Sequence, residues 1–451
     1  FHHADHIIYE VIEIIPEIEE EDVAATRTVG IGTRTMPQSA ANAEEETEEP
    51  QEPWAALRFQ PDIQSPIQAR LQIGERVDFF DVGGEDFLLV RNSDGLLGYV
   101  LEAELEFIDI IPGRPQEPEL RRPMTREYDR PLNVLWQLFT NRVAAADPEQ
   151  MIVRRGVDVM SPTWFSFDEN RMNGDIIDIG NRAYVQWAHA NGMEVWALIT
   201  DNFNPTVSSA VLTSAPVREH VINQLMHFVE LYNLDGINID YEEVPQTDGE
   251  YYIQFLRELA VPMRQAGVVL SVAMYVPTPR TMHYNRTEIG FTADFLMIMA
   301  YDEHWGTSPI AGPVASYGFV RDGIRNTLLE IPSYRVILGL PFYERIWREE
   351  PQGEGEPPRV TSRAVGMNVS RNIFAQQGAV FEWDDDIRKY YGEYFAVENG
   401  EEVRFRVWLE DLRSMRSKLE LFEQYELAGV AGWRAGLEHH TVWDLIYEFL
   451  R

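Results

Sequence analysis

Cysteine is absent from this chain of 451 residues, which excludes disulfides and thiolate metal sites without fixing a compartment. Lysine is nearly absent too: of 38 basic residues only Lys389 and Lys418 are lysines. No run of eighteen apolar residues occurs, so no membrane span is expected. Positive charge is outweighed by 74 Asp and Glu, leaving a net charge of -36 and a pI near 4.6. Phosphate binding relies on Lys and Arg, so nucleic acid is a poor partner. The chain starts at Phe1 rather than Met, and loss of an upstream export signal is the expectation that fits. What is present, 45% apolar and 25% charged residues, is the composition of a soluble globular protein. The length allows one large core and something smaller.

The organising stretch is Leu234-Asp235-Gly236-Ile237-Asn238-Ile239-Asp240-Tyr241-Glu242. As a strand it puts Asn238, Asp240 and Glu242 on one face and Ile237, Ile239 and Tyr241 on the other. Three polar side chains buried on a strand cost several kcal/mol without partners, and adjacent carboxylates repel. One acid is then held protonated beside an ionised neighbour, which suits general acid/base work. Asp-x-x-Asn-x-Asp-x-Glu resembles the signature of glycoside hydrolase family 18, the chitinase and N-acetylglucosaminidase family, in which the second position is Asp.

Ahead of this stretch the chain changes texture several times. Residues 1–53 hold two strand-like segments, His6 to Ile15 and Thr26 to Thr35, followed by an acidic, Pro- and Gln-containing stretch from Pro37 to Pro53 that reads as a disordered linker. The strand-like part either packs back on its own molecule, the favoured reading, or adds to a sheet edge of a neighbour, giving self-association through residues 1–36. His2, His3, Asp5 and His6 have metal-ligand chemistry, but at a chain end a frayed, solvated terminus is the expectation. Residues 54–110 carry short apolar runs between turn signals, a small β-barrel pattern. Ile73-Gly74-Glu75-Arg76-Val77, Phe87 to Arg91 and Asp94 to Val100 resemble bacterial SH3-like domains, whose presence implies either a wall-polymer binder or a spacer. Residues 111–128 are a Pro-rich linker.

From Asp129 apolar strands alternate with helical patterns, as in a parallel α/β fold. The expected strands are Asn133 to Phe139, Val157 to Pro162, Glu194 to Ile199, Gly236 to Tyr241, Val268 to Val276, Phe295 to Ala300, Val336 to Leu340 and Gly429 to Trp433. Eight βα units over 129–451 make a (β/α)8 TIM barrel. Arg348 to Glu410 is too long for a crossover and reads as a small α+β insertion between strands 7 and 8. Active sites of such barrels lie where the strands end. There stand Asp201-Asn202-Phe203, Glu242, Tyr301 to Trp305, Tyr343 with Arg345, and Trp433 with Arg434.

These ends extend the resemblance. Met299-Ala300-Tyr301-Asp302, Gly339-Leu340-Pro341-Phe342-Tyr343 and Gly429 to Trp433 are similar to motifs that family 18 carries after strands six, seven and eight. Asn238, Ala300 to Trp305 and Val407 to Asp411 with Ser414 and Lys418 resemble its spore-germination and cell-wall branch. The resemblance implies a retaining hydrolase in which the substrate's 2-acetamido group is the nucleophile and no metal or cofactor is needed. It assigns Glu242 as proton donor, Asp240 as partner of the acetamido N–H, and Tyr301 as donor to the acetamido oxygen. Asn238, Met299, Asp302, Tyr343 and Trp433 would bind the sugar, Trp433 as an aromatic floor. Asn238 departs from the signature; an amide still donating to Asp240 implies a shifted pH profile rather than inactivity. The family's Ser-x-Gly-Gly at strand three is replaced by Ala197 to Asp201.

Other residues read structurally. Asp235 fixes the start of the strand, Glu243 is solvated, and His439 and His440 lie at the surface. His304 either contacts substrate or is a bonded loop histidine. Trp136, Trp164 and Trp196 line the cleft or fill the barrel, with the core preferred. The expected function is hydrolysis of β-1,4-linked N-acetylglucosamine in peptidoglycan of the spore cortex or wall, outside the cell or in its envelope. The alternatives are a chitinase and a weakly active sugar-binding or structural envelope protein assembled through its N-terminal segment.

Overall fold

The computed structural model describes residues 25–30, 54–58, 60–72, 76–80, 86–92, 97–112, 124–353, 355–367 and 369–451. Contacts divide the chain into two units, Phe1–Arg122 and Pro123–Arg451. The segments His6 to Ile15 and Pro37 to Pro53 lie outside the described residues.

The first unit holds a seven-stranded sheet in the order Ile67–Gln72, Trp54–Arg58, Leu97–Leu101, Phe87–Arg91, Arg76–Phe80, Ala25–Gly30 and Glu106–Pro112. The pairs along it are antiparallel. Its small core is Ala55, Leu57, Leu71, Val77, Val90 and Val100. The strand Ala25–Gly30, which takes in the described residues 26–30 of the second N-terminal segment, pairs with two strands of its own unit.

The second unit is a closed barrel of eight parallel strands: β1 Leu132–Gln137, β2 Val159–Phe167, β3 Glu194–Thr200, β4 Gly236–Asp240, β5 Val269–Tyr275, β6 Phe295–Met299, β7 Val336–Pro341 and β8 Gly429–Trp433. Closure comes from β8 and β2 both pairing with β1. All eight expected strands form, but β2 runs five residues past the expected end. Pro162 does not end it: the strand continues through buried Phe165 and Phe167 and pairs with Ile176–Asp178. Register places Trp196, Leu198 and Thr200 of β3 beside Gly236, Asn238 and Asp240 of β4. A Cβ on Gly236 would lie 2.5 Å from the Trp196 ring, so glycine there lets the indole fill the barrel bottom, where it stacks on Phe295. Trp136, Trp164 and Trp196 are all core residues, at most 1% exposed. Odd residues of β4 face the helices: Tyr241 stacks on Phe255 of the helix Gly249–Gln265.

Asp235 does fix the base of β4, accepting from Val195 N at 3.0 Å and pairing with His189 and Arg126. Thr125 N donates to Asp294 at 2.8 Å, and Met124 and Tyr128 pack on the barrel core. The end of the Pro-rich stretch therefore belongs with the barrel.

The insertion begins at Tyr343 rather than Arg348. Its five-stranded antiparallel sheet, in the order Arg359–Gly366, Tyr343–Glu350, Glu401–Trp408, Lys389–Glu398 and Glu382–Asp384, continues directly from β7. Tyr343 and Arg345 thus stand on the first turn of the insertion, at the mouth of the barrel.

Candidate active site

The C-terminal end of β4 delivers the acids. Asn238 and Asp240 lie in the barrel at 0% and 8% exposure, and Glu242 follows two residues past Asp240 at the rim. Asn238 does not donate to Asp240 as expected. Trp136 Nε1 donates to its Oδ1 at 2.9 Å, and its Nδ2 donates to Ser271 Oγ at 3.0 Å and to Met297 Sδ at 3.4 Å. An indole N–H can only donate, so it orients the amide away from Asp240. Asp240 Oδ1 is buried and accepts no hydrogen bond from the described residues. A buried unpaired acceptor is costly and is the point at which a donor on a ligand gains most.

Both acids titrate high. Burial pushes Asp240 well above the usual carboxylate range, and the charges of Glu242 and Asp201 push it further. Burial lifts Glu242 to about 7, with the Tyr275 hydroxyl opposing and Asp201, Asp302 and Glu243 adding repulsion. About half of the Glu242 carboxyls therefore still hold their proton at neutral pH, against almost none at the ordinary value, and the protonated form is the one a proton donor needs. Activity that depends on this proton is expected to fall about tenfold per pH unit above pH 7. A pH profile of kcat/KM checks this; a loss beginning near pH 4.5, the ordinary value, would refute it.

The other predicted residues gather round the same opening. Tyr301, just after β6, is 8% exposed and packs edge-on against Tyr343, ring centres 6.2 Å apart. A Cβ on Gly339 of β7 would come within 3.3 Å of the Tyr301 ring, so the glycine gives that ring room. Tyr343 donates to Asp302 Oδ1 at 2.7 Å, and Arg345 stands 3.7 Å from the same oxygen. Asp302 adopts a left-handed backbone, φ 57°, a strained state for a non-glycine residue that sets where its carboxylate stands. Burial raises its pKa, with Tyr343 and Arg345 opposing. Trp433 ends β8, half-buried, with Trp136 edge-on at 6.0 Å. Met299 ends β6 in the core at 6% exposure, beside Tyr275 and Gly339 in register. His304 is a bonded loop histidine, with Nδ1 3.0 Å from Pro313 O.

The sequence put Asp201 at the active-site end of β3 without giving it a role, and it gave no sign of Tyr284. Asp201, fully buried at the end of β3, accepts from Phe203 N at 3.1 Å, Ser208 Oγ at 2.7 Å, Glu242 N at 3.3 Å and Glu243 N at 3.0 Å. Tyr284 donates to Glu242 O at 2.8 Å and accepts from Val244 N at 3.2 Å. Between them they hold the loop that carries Glu242. The only sequence signal was that an acid stands where β3 ends.

A (β/α)8 barrel with an elevated acid pair at the end of its fourth strand and aromatic side chains around it defines a class, the barrel glycoside hydrolases. Residues 196–438 match the model for glycosyl hydrolases family 18, and the chain belongs to that family. It is 28% identical over 253 residues to a cortical fragment-lytic enzyme of Bacillus subtilis, covering 54% of this chain and 56% of that one. It spans no more than 66% of the length of two further Bacillus relatives. The fold matches the spore cortex-lytic enzyme SleL of Bacillus cereus with TM-score 0.61 and 22% identity, over 71% of this chain and 74% of that one. It also matches a chitinase of Chromobacterium violaceum with TM-score 0.59 and 19% identity, over 71% and 98%. No helix among the described residues is long and apolar enough to cross a membrane.

Proposed function

We propose that the chain is a retaining glycoside hydrolase of the cell envelope or spore, cleaving β-1,4-linked N-acetylglucosamine in peptidoglycan. The observation that carries this reading is the pairing of Glu242, lifted to about 7, with Asp240, whose buried Oδ1 takes no bond from the described residues. In the reaction, Glu242 gives its proton to the glycosidic oxygen as the substrate's own acetamido oxygen attacks the anomeric carbon. Asp240 accepts from the acetamido N–H and stabilises the positive charge of the oxazolinium ion. Tyr301 donates to the acetamido oxygen, while Asp302, steadied by Tyr343 and Arg345, holds the sugar. Trp433 offers its face to the C–H side of the ring. Glu242, now ionised, then takes a proton from the water that opens the intermediate. Met299 and Asn238 shape the floor beneath. The relatives named for cortical fragments and spore cortex support peptidoglycan as polymer; the fold shared with a chitinase supports chitin as the second reading.

The test is to incubate the protein and Glu242→Gln with purified peptidoglycan, spore cortex fragments and chitin oligosaccharides and to read the products by mass spectrometry. Muropeptides ending in reducing N-acetylglucosamine, from wild type alone, are the expected result. Cleavage of chitin alone moves the substrate to chitin. No Glu242-dependent product from any of the three leaves a sugar-binding or structural role.

A further inference from the structure

The family signature has a carboxylate where this chain has Asn238, and the amide at that position is turned away from Asp240 by Trp136. A second carboxylate nevertheless reaches the acid pair, from a different strand. Asp201 leaves the end of β3, is 0% exposed, and takes hydrogen bonds from four donors, two of them the amides of Glu242 and Glu243. Among the described residues its four donors are three backbone amides and one hydroxyl, none of them basic. The two residues after it, Asn202 and Phe203, both have left-handed backbone, φ 58° and 55°, and the Phe203 amide turns back onto Asp201. Two consecutive strained residues mark a turn whose geometry is imposed by its surroundings, here the docking of one carboxylate under the Glu242 loop.

We propose that Asp201 is a positioning residue for the reaction: it fixes the backbone from which Glu242 projects and supplies, from β3, the negative charge that Asn238 lacks. This inference rests on the proposed hydrolase reading for its kinetic consequence, but its geometry does not. The groups that face Glu242 are Asp201, Glu243 and Asp240 on one side, Asp302 with its partner Arg345 on another, and the hydroxyls of Tyr275, Tyr284, Tyr301 and Tyr343. Among these carboxylates Asp201 alone is bonded to the Glu242 backbone. It acts by holding that backbone and by making a second negative charge at Glu242 unfavourable, which keeps the proton in place.

Asp201→Asn keeps the shape and removes the charge. The titration of Glu242, read as the 13C carboxyl signal missing from Glu242→Gln, is expected to move down by about one pH unit in Asp201→Asn. The alkaline limb of kcat/KM should follow it, with kcat about tenfold lower and KM little changed. Asp201→Glu retains the charge on a longer arm, so the limb should stay while kcat falls. A folded Asp201→Asn protein with the Glu242 titration unmoved overturns the proposal. Should that variant not fold, Ser208→Ala takes one donor from the same carboxylate and leaves three backbone donors. Its Glu242 titration should move up, and an unmoved one overturns the proposal equally. The carboxyl titration needs no substrate, so a wild-type protein that cleaves no glycan refutes the hydrolase reading while leaving this measurement to decide the role of Asp201.

Discussion

Replacing Glu242 by Gln is expected to lower kcat/KM by about a thousandfold or more while leaving the protein folded and, above pH 7, more stable. The loss follows from removing the proton donor, since a positioned acid contributes roughly 10²–10⁴-fold and the same group is needed again as base. The gain in stability has a separate origin. Glu242 has a pKa of about 7 in the folded protein against 4.5 ordinarily. A group raised on folding contributes stability that is complete below its unfolded value and is lost as pH rises through its folded value. Above pH 7 the wild-type barrel therefore carries a buried charge next to Asp201 and Asp302, which the amide of Gln does not. The variant should unfold at higher denaturant concentration at pH 8, by about 3 kcal/mol at most, and nearly together with wild type at pH 4. Kinetics and urea titrations at the two pH values check both halves. An inactive variant with no pH-dependent gain would mean that Glu242 titrates near its ordinary value, and then it is not poised as the acid.

How far the sequence foretold this site depends on the kind of contact involved. Asp240 and Glu242 were legible because period-two alternation is a local rule, and β4 obeys it: Tyr241 turns out to the helix and Asp240 turns in. Tyr301, Tyr343 and Trp433 were legible because each follows an apolar β-branched or Gly-containing run that can only be a buried strand. The orientation of Asn238 was not legible, because its oxygen is claimed by Trp136, which lies 102 positions earlier in the chain. Asp201 was placed at the active-site end of β3, but its role was missed for the same reason: its bonds go to backbone amides 41 and 42 positions away, and backbone amides carry no side-chain signature. The end of β2 was placed five residues early, because the residues beyond Pro162 pair with Ile176–Asp178, a contact the local pattern does not show. The two lysines stood out in the composition, and Lys418 also in the family resemblance, but their meaning is three-dimensional.

That meaning leads to the second large effect, which is expected from Glu410→Gln: a loss of about 3–5 kcal/mol of stability. Glu410, at the end of the insertion's last long strand, is 0% exposed and is bonded by both lysines of the chain, Lys389 and Lys418, the latter at 2.6 Å. Ser414 Oγ donates to it at 2.7 Å. Burial alone would raise Glu410, but the two ammonium groups outweigh it and hold its pKa below the ordinary value; burial in turn pulls Lys418 down to about 8. Each ammonium is a compact charge that meets one carboxylate oxygen, a fit that the wider planar guanidinium of Arg does not offer. Neutralising Glu410 leaves two buried positive charges facing each other, and burying unpaired charge is among the largest single destabilisations known. The cluster also bears on the site. Glu344 accepts from Glu410 N at 2.7 Å and from Ser370, and it stands between Tyr343 and Arg345, the two residues that hold Asp302. Loosening Glu410 should therefore lower kcat as well as stability. Lysine reactivity gives an independent reading: at 1% exposure each, both side chains should resist an amine-reactive reagent in the native wild type and react in Glu410→Gln. Lysines that label freely in the native wild-type protein would show that the cluster is open and that the stability loss should not be expected.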